Sequence, residues 1–158
     1  MKRALLLVLV CLSFALSGCG GSSDPDVERA KAIVRLSADQ RQKALVELPL
    51  DKQLDVYLYA ATKVEPPLVL AKEVASNGPS ILLTVKNRLA AEADDRRFTQ
   101  LMLILVAVSA SHCSLEKRSD ILDIVQRTIP RMKEENKETA SHLLEAIKHP
   151  DKQLPPCS

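Results

Sequence analysis

Between Val27 and Ile147 apolar residues recur three and four positions apart, and prolines, a glycine and charged turns break the pattern into segments. This is the period of amphipathic helices, and nowhere does it give way to the strict alternation of strands. Val27, Ala30, Ile33 and Val34 predict a first helix over 26–36. Ser37, with Gln40 as its capping-box partner, predicts the start of a second that buries Ala44, Leu45 and Leu48 and stops at Pro49. Asp51 is expected to cap a third, striped by Leu54, Tyr57, Leu58 and Ala61, before Glu65-Pro66-Pro67 ends it. A fourth runs from Leu68 to Ser76, with Gly78 suited to the left-handed position after it. Pro79 and Ser80 open a fifth, with Ile81, Leu82, Val85 and Leu89 inward.

Asp94 and Asp95 place negative charge at the start of a sixth helix, where the helix dipole favours it. Its run LMLILVAV at 101–108 is apolar all round, so it is expected to be the central buried helix. A seventh is expected over 115–133, broken or kinked at Pro130, with Ile121, Ile124, Val125, Ile129 and Met132 inward. Asn136 is expected to cap an eighth that buries Ala140, Leu143, Leu144 and Ile147 and ends at Pro150. The fold class expected is all-α.

The start of the chain follows a different rule. Met1, Lys2 and Arg3 precede a nearly unbroken apolar run, residues 4–16, which is the pattern of a secretory signal. The run is short for a membrane span, which needs roughly 20 residues. Leu16-Ser17-Gly18-Cys19 closes it and resembles the lipobox of bacterial lipoproteins: aliphatic, small, small, cysteine. The resemblance covers residues 1–19. It implies cleavage before Cys19 and covalent lipid on that sulfur and on the new amine. Two or more acyl chains anchor stably where one is marginal. It also implies a cell-envelope location on the periplasmic side, lipid-anchored, and Gly20 after the cysteine makes the outer membrane the expected destination.

Four stretches follow: a signal peptide over 1–18, a Gly/Ser-rich tether over 19–25, a helical domain over 26–150 and a tail over 151–158. The six or seven tether residues span roughly 15 Å root-mean-square, so the domain is expected close to the headgroups.

Charge and composition narrow the function. Lys2 and Arg3 leave with the leader, and the remaining 20 basic residues balance 20 acidic ones. No net positive field favours nucleic acid or anionic lipid. The chain after the leader holds Tyr57, Tyr59 and Phe98 and no tryptophan, which disfavours stacking platforms for bases. Beyond the tether Gly78 is the one glycine, so a glycine-rich phosphate loop is excluded.

Few residues offer chemistry. With Cys11 in the leader and Cys19 lipidated, Cys113 and Cys157 remain. An oxidising compartment favours a bridge between them, with two free thiols or pairing between chains as the alternatives. Such a bridge closes a loop worth roughly 4 kcal/mol in the chain-entropy account and ties the tail to the end of the sixth helix. His112-Cys113 is not read as a base–nucleophile pair, because helix neighbours point about 100° apart and no orienting carboxylate is evident.

Glu138, His142, Glu145 and His149 share one face of the last helix, but opposite its apolar stripe, so a solvated face is expected and no metal site. Tyr57 and Tyr59 are two residues apart, so one takes the core and the other a rim or groove. The Asp94-Asp95-Arg96-Arg97 turn is read as solvated, and Pro66-Pro67 as a helix-pair junction.

Short helices in antiparallel pairs over residues 51–148 resemble a HEAT or armadillo-type right-handed stack, with a compact orthogonal bundle as the alternative. No clear internal repeat accompanies the resemblance. The function expected is a non-enzymatic protein-binding module, lipid-anchored and periplasm-facing. Its partners are the membrane, through its lipid, and a second protein; no nucleic acid and no cofactor beyond that lipid is expected. An immunity- or inhibitor-type lipoprotein that neutralises an envelope-targeted toxin is the alternative, and an envelope hydrolase without a motif ranks below both.

Overall fold

The computed structural model describes residues 24–63, 68–150 and 154–157. The leader, Cys19 and the Pro66-Pro67 junction lie outside the described residues. Within them are eight α-helices: α1 Pro25–Val34, α2 Ala38–Val46, α3 Leu50–Lys63, α4 Leu68–Ala75, α5 Leu82–Ala91, α6 Asp95–Ser111, α7 Ser119–Thr128 and α8 Glu134–Lys148. Short 3-10 turns at Gly78–Ile81 and Ile129–Arg131 lead into α5 and out of α7. The all-α class expected from the hydrophobic period is the class observed.

Helices two apart in sequence pack on one another: α1 on α3, α3 on α5, α5 on α7, and likewise α4 on α6 and α6 on α8. Arg41 of α2 forks onto Glu73 of α4 (Nε–Oε2 and Nη2–Oε1 both 2.7 Å), and Gln42 donates to Ser76 Oγ at 2.9 Å. Odd-numbered and even-numbered helices therefore form two layers. α6 also meets α3 and α5, so it is the central element, as its apolar composition predicts. Phe98, Leu101, Met102, Ile104, Leu105 and Val108 are all essentially buried along it.

The polar groups inside the core are paired. Tyr57 Oη donates to the Gln100 carbonyl at 3.0 Å, with Gln100 Oε1 at 3.2 Å. Burial pushes the Tyr57 phenol well above its ordinary pKa, so it remains a neutral donor. Gln53 donates to the Leu48 carbonyl (3.0 Å) and accepts from Asn77 Nδ2 (2.7 Å), which also donates to Val74 O (2.8 Å). That chain of bonds ties the end of α2 through α3 to the stop of α4.

Helix ends account for most departures from the sequence reading. Helix α3 starts at Leu50, with the Pro49 carbonyl accepting from Gln53 N–H at 3.0 Å, so Asp51 lies in the first turn rather than at the cap. Ser37 does occupy the cap of α2, but its hydroxyl donates to Gln40 Oε1 (3.1 Å) instead of accepting a backbone N–H. Helix α8 begins at Glu134 with Lys133 at the cap, which leaves Asn136 inside the first turn. The Lys133 N–H donates to Asp95 Oδ2 at 2.8 Å, a tertiary substitute for a local cap. Helix α7 starts at Ser119, not 115: Cys113 and Ser114 are engaged by the tail, and the Leu115 carbonyl accepts from the Arg118 N–H in a turn. Its end falls where Pro130 predicts. Gly78 has φ +61°, the left-handed conformation expected of it.

Candidate functional site

Helix α6 has surface depressions at both of its ends. At its N-terminal end Asp94 Oδ1 accepts from the Arg97 N–H at 2.8 Å and caps the helix. Here a groove of about 410 Å³ runs between α1 and α3, lined among others by Asp24, Asp26, Tyr59, Thr62 and Arg97. A smaller depression of about 150 Å³ adjoins it, sharing Leu58, Thr62 and Arg97 and adding Arg96 and Gln100.

The two tyrosines divide as the two-residue spacing requires. Tyr57 is fully buried, and Tyr59 is half-buried on the groove wall. Most of the groove's charges are answered within the fold. Lys52 Nζ lies 2.6 Å from Asp26 Oδ2, Arg88 Nη2 lies 2.6 Å from Asp55 Oδ1, and Arg97 Nε lies 3.4 Å from Glu92 Oε2. Lys52 holds the Asp26 carboxyl below its ordinary range.

At the opposite end, Cys113 and Cys157 form a disulfide with Cα atoms 5.0 Å apart, 44 residues apart in sequence. The bond brings the tail across the start of the α6–α7 connection. Ser114 N–H donates to the Pro155 carbonyl and Cys157 N–H donates to the Ser114 carbonyl, both at 2.9 Å, which makes an isolated parallel bridge of Ser114 with Pro156. In such a bridge the residue opposite Ser114 contributes neither its N nor its carbonyl. A proline is therefore harmless there, and Pro155 is asked only for its carbonyl.

Beside this clasp is a cleft of about 670 Å³, lined by Ser114, Glu116, Leu122, Lys148, His149, Pro150 and Leu154. Its walls are the α6–α7 connection, α7, the end of α8 and the tail.

The residues singled out by sequence separate accordingly. Cys113 and Cys157 come together; Cys19 lies outside the described residues. Cys113 is bonded to sulfur, so it is no nucleophile, and the neighbouring His112 is exposed beside Gly78, whose α-carbon would direct a methyl to 3.5 Å from His112 Nδ1. Glu138, His142, Glu145 and His149 are exposed on the outer face of α8, as the opposed apolar stripe implies. Glu145 faces Lys148 at 3.3 Å and His149 at 3.7 Å. Among the described residues no group of three or more His, Cys, Asp or Glu side chains is placed to hold a metal ion, and no helix is long and apolar enough to cross a membrane. Sequence reasoning missed the cleft, because its lining comes from four separated segments. The Cys113–Cys157 pair was the one signal that could have found it.

No family model, no curated protein and no solved structure matches this chain.

Proposed function

We propose that the chain is a lipid-anchored, periplasm-facing binding module that engages a partner protein and does no chemistry of its own. The observation that supports this reading is the Cys113–Cys157 bond, because disulfides persist mainly in oxidising compartments. It agrees with the compartment implied by the lipobox Leu16-Ser17-Gly18-Cys19. Five Cα–Cα steps separate Cys19 from Asp24, the cap of α1, and five steps reach at most about 18 Å. Lipid on Cys19 thus keeps the α1 end of the domain near the headgroups. Helix α6, at 17 residues, carries the clasp and its cleft roughly 25 Å from the Asp94 end. A partner arriving from the periplasm meets the cleft end, with the groove end toward the lipid.

Two measurements test the reading. Intact mass of the native protein is expected to show a chain starting at Cys19 with acyl groups, and Cys19→Ala is expected to leave the membrane fraction. An unprocessed, unmodified Cys19 overturns the anchor. A photo-cross-linker at His149 is expected to trap one discrete protein in the envelope, and trapping is expected to weaken in Cys19→Ala. Turnover of an envelope substrate by the purified domain would replace binding with catalysis.

A further inference from the structure

We propose that residues 154–157 are a redox-held latch: the 670 Å³ cleft exists in the disulfide-bonded chain and is dismantled when Cys113–Cys157 is reduced, while the helical body stays folded. The inference stands on the clasp geometry and not on lipid attachment at Cys19. The described strap is fixed to the body by the disulfide, whose Cys157 is buried in the core, by the two hydrogen bonds to Ser114, and by Leu154, which lines the cleft together with Leu122.

Without the covalent bond the balance turns. A net intramolecular hydrogen bond is worth about what it costs to order the backbone of one residue. Two such bonds therefore offset about two residues of a four-residue strap. Pro155 and Pro156 reduce that cost but supply no N–H to strengthen the bridge.

The body, by contrast, holds itself. Helix α8 packs on α6 and buries Ala140, Leu144 and Ile147, α7 packs on α5 and buries Ile121 and Val125, and Asp95 fixes the N-terminus of α8. None of these contacts needs the tail.

The switching reaction needs a dithiol reductant. One thiolate attacks a sulfur of the bridge, the S–S bond breaks, and the other cysteine leaves as a thiolate that takes a proton. The second thiol of the reductant then resolves the mixed disulfide. Two electrons and two protons pass to the protein, which ends with two thiols, and the reductant ends as a disulfide. Cys113 and Cys157 are 5 % and 7 % exposed, so the reductant reaches the sulfurs only through brief local opening around the still-intact bridge.

Hydrogen exchange on the full chain tests the latch, with Cys157→Ser as a form that cannot re-close. In the oxidised protein the amides of Ser114 and Cys157 are expected to be protected. In Cys157→Ser, and in wild type held with a dithiol, the Ser114 amide is expected to exchange at least tenfold faster, while amides of 101–108 in α6 keep their protection. Cys113 in Cys157→Ser is expected to alkylate at the rate of an exposed thiol. Unchanged protection at Ser114 with Cys113 still shielded overturns the latch, because the strap then stays docked unaided. Loss of protection throughout α6 also overturns it, because the bond then staples the whole fold.

Discussion

Arg41 meets Glu73 through Nε and Nη2 of its guanidinium, and its Nη1 donates to the Leu36 carbonyl at 3.2 Å. The two side chains are 15 % and 10 % exposed, so each is a costly charge without the other. Arg41→Ala is expected to destabilise the domain by about 2 kcal/mol, read as a lower urea midpoint with the slope unchanged. Adding Glu73→Leu to Arg41→Ala is expected to recover part of that loss, because no charge is then left behind. Asp120 shows the other kind of ion pair. Arg118 (2.9 Å) and Lys86 (3.1 Å) hold its carboxyl well below the ordinary carboxylate range, against some desolvation. A depressed folded-state pKa stabilises above the unfolded value, and the benefit is lost as pH falls through the folded one. Asp120 is 39 % exposed, so the effect is small: Asp120→Asn is expected to be about 0.5 kcal/mol less stable at pH 7. The gap is expected to close as urea melts are taken to progressively lower pH. Neither Arg41–Glu73 nor Lys86–Asp120 was legible in the sequence, because both join residues that only packing brings together.

Element boundaries depend on how each helix end finds partners for its free N–H and carbonyl groups. Some local ends read correctly, although Ser37 and Asp51 did not. Asp94 and Asp95 do stand at the start of α6, Gly78 takes the left-handed turn after α4, and Pro130 ends α7. Where the partner is distant, the sequence does not show it. Asp95 reaches across to Lys133 at the head of α8, and the tail takes Ser114 out of reach of α7. Asp94→Ala is expected to cost about 1 kcal/mol, since it frees the Arg97 N–H at the head of the central helix. Thermal unfolding followed by circular dichroism reads this as a lower midpoint with native helicity retained.

At the scale of the whole molecule, a nearly neutral domain with internally paired charges leaves membrane attachment to the proposed lipid. Residues 20–158, expressed without Cys19, are expected not to sediment with vesicles rich in anionic lipid at about 0.1 M salt, where surface attraction is screened beyond roughly 10 Å. Sedimentation that weakens as salt rises would assign attachment to charge instead. The groove and the cleft lie at opposite ends of α6, with the head of α1 at one end and the clasp at the other. That polarity of the molecule comes from where α1 and the tail meet α6.

The sequence by itself determined the class, the eight helices, their buried stripes and the central place of the 101–108 run. These follow from period and hydrophobicity, which each segment expresses alone. It also singled out Cys113 and Cys157 as the pair available for a bridge. Only the tertiary structure decided that alternate helices pack in two layers, that Arg41 finds Glu73, and that Leu154 and Leu122 line one cleft. Such contacts join positions tens of residues apart, and no local pattern carries the distance between them.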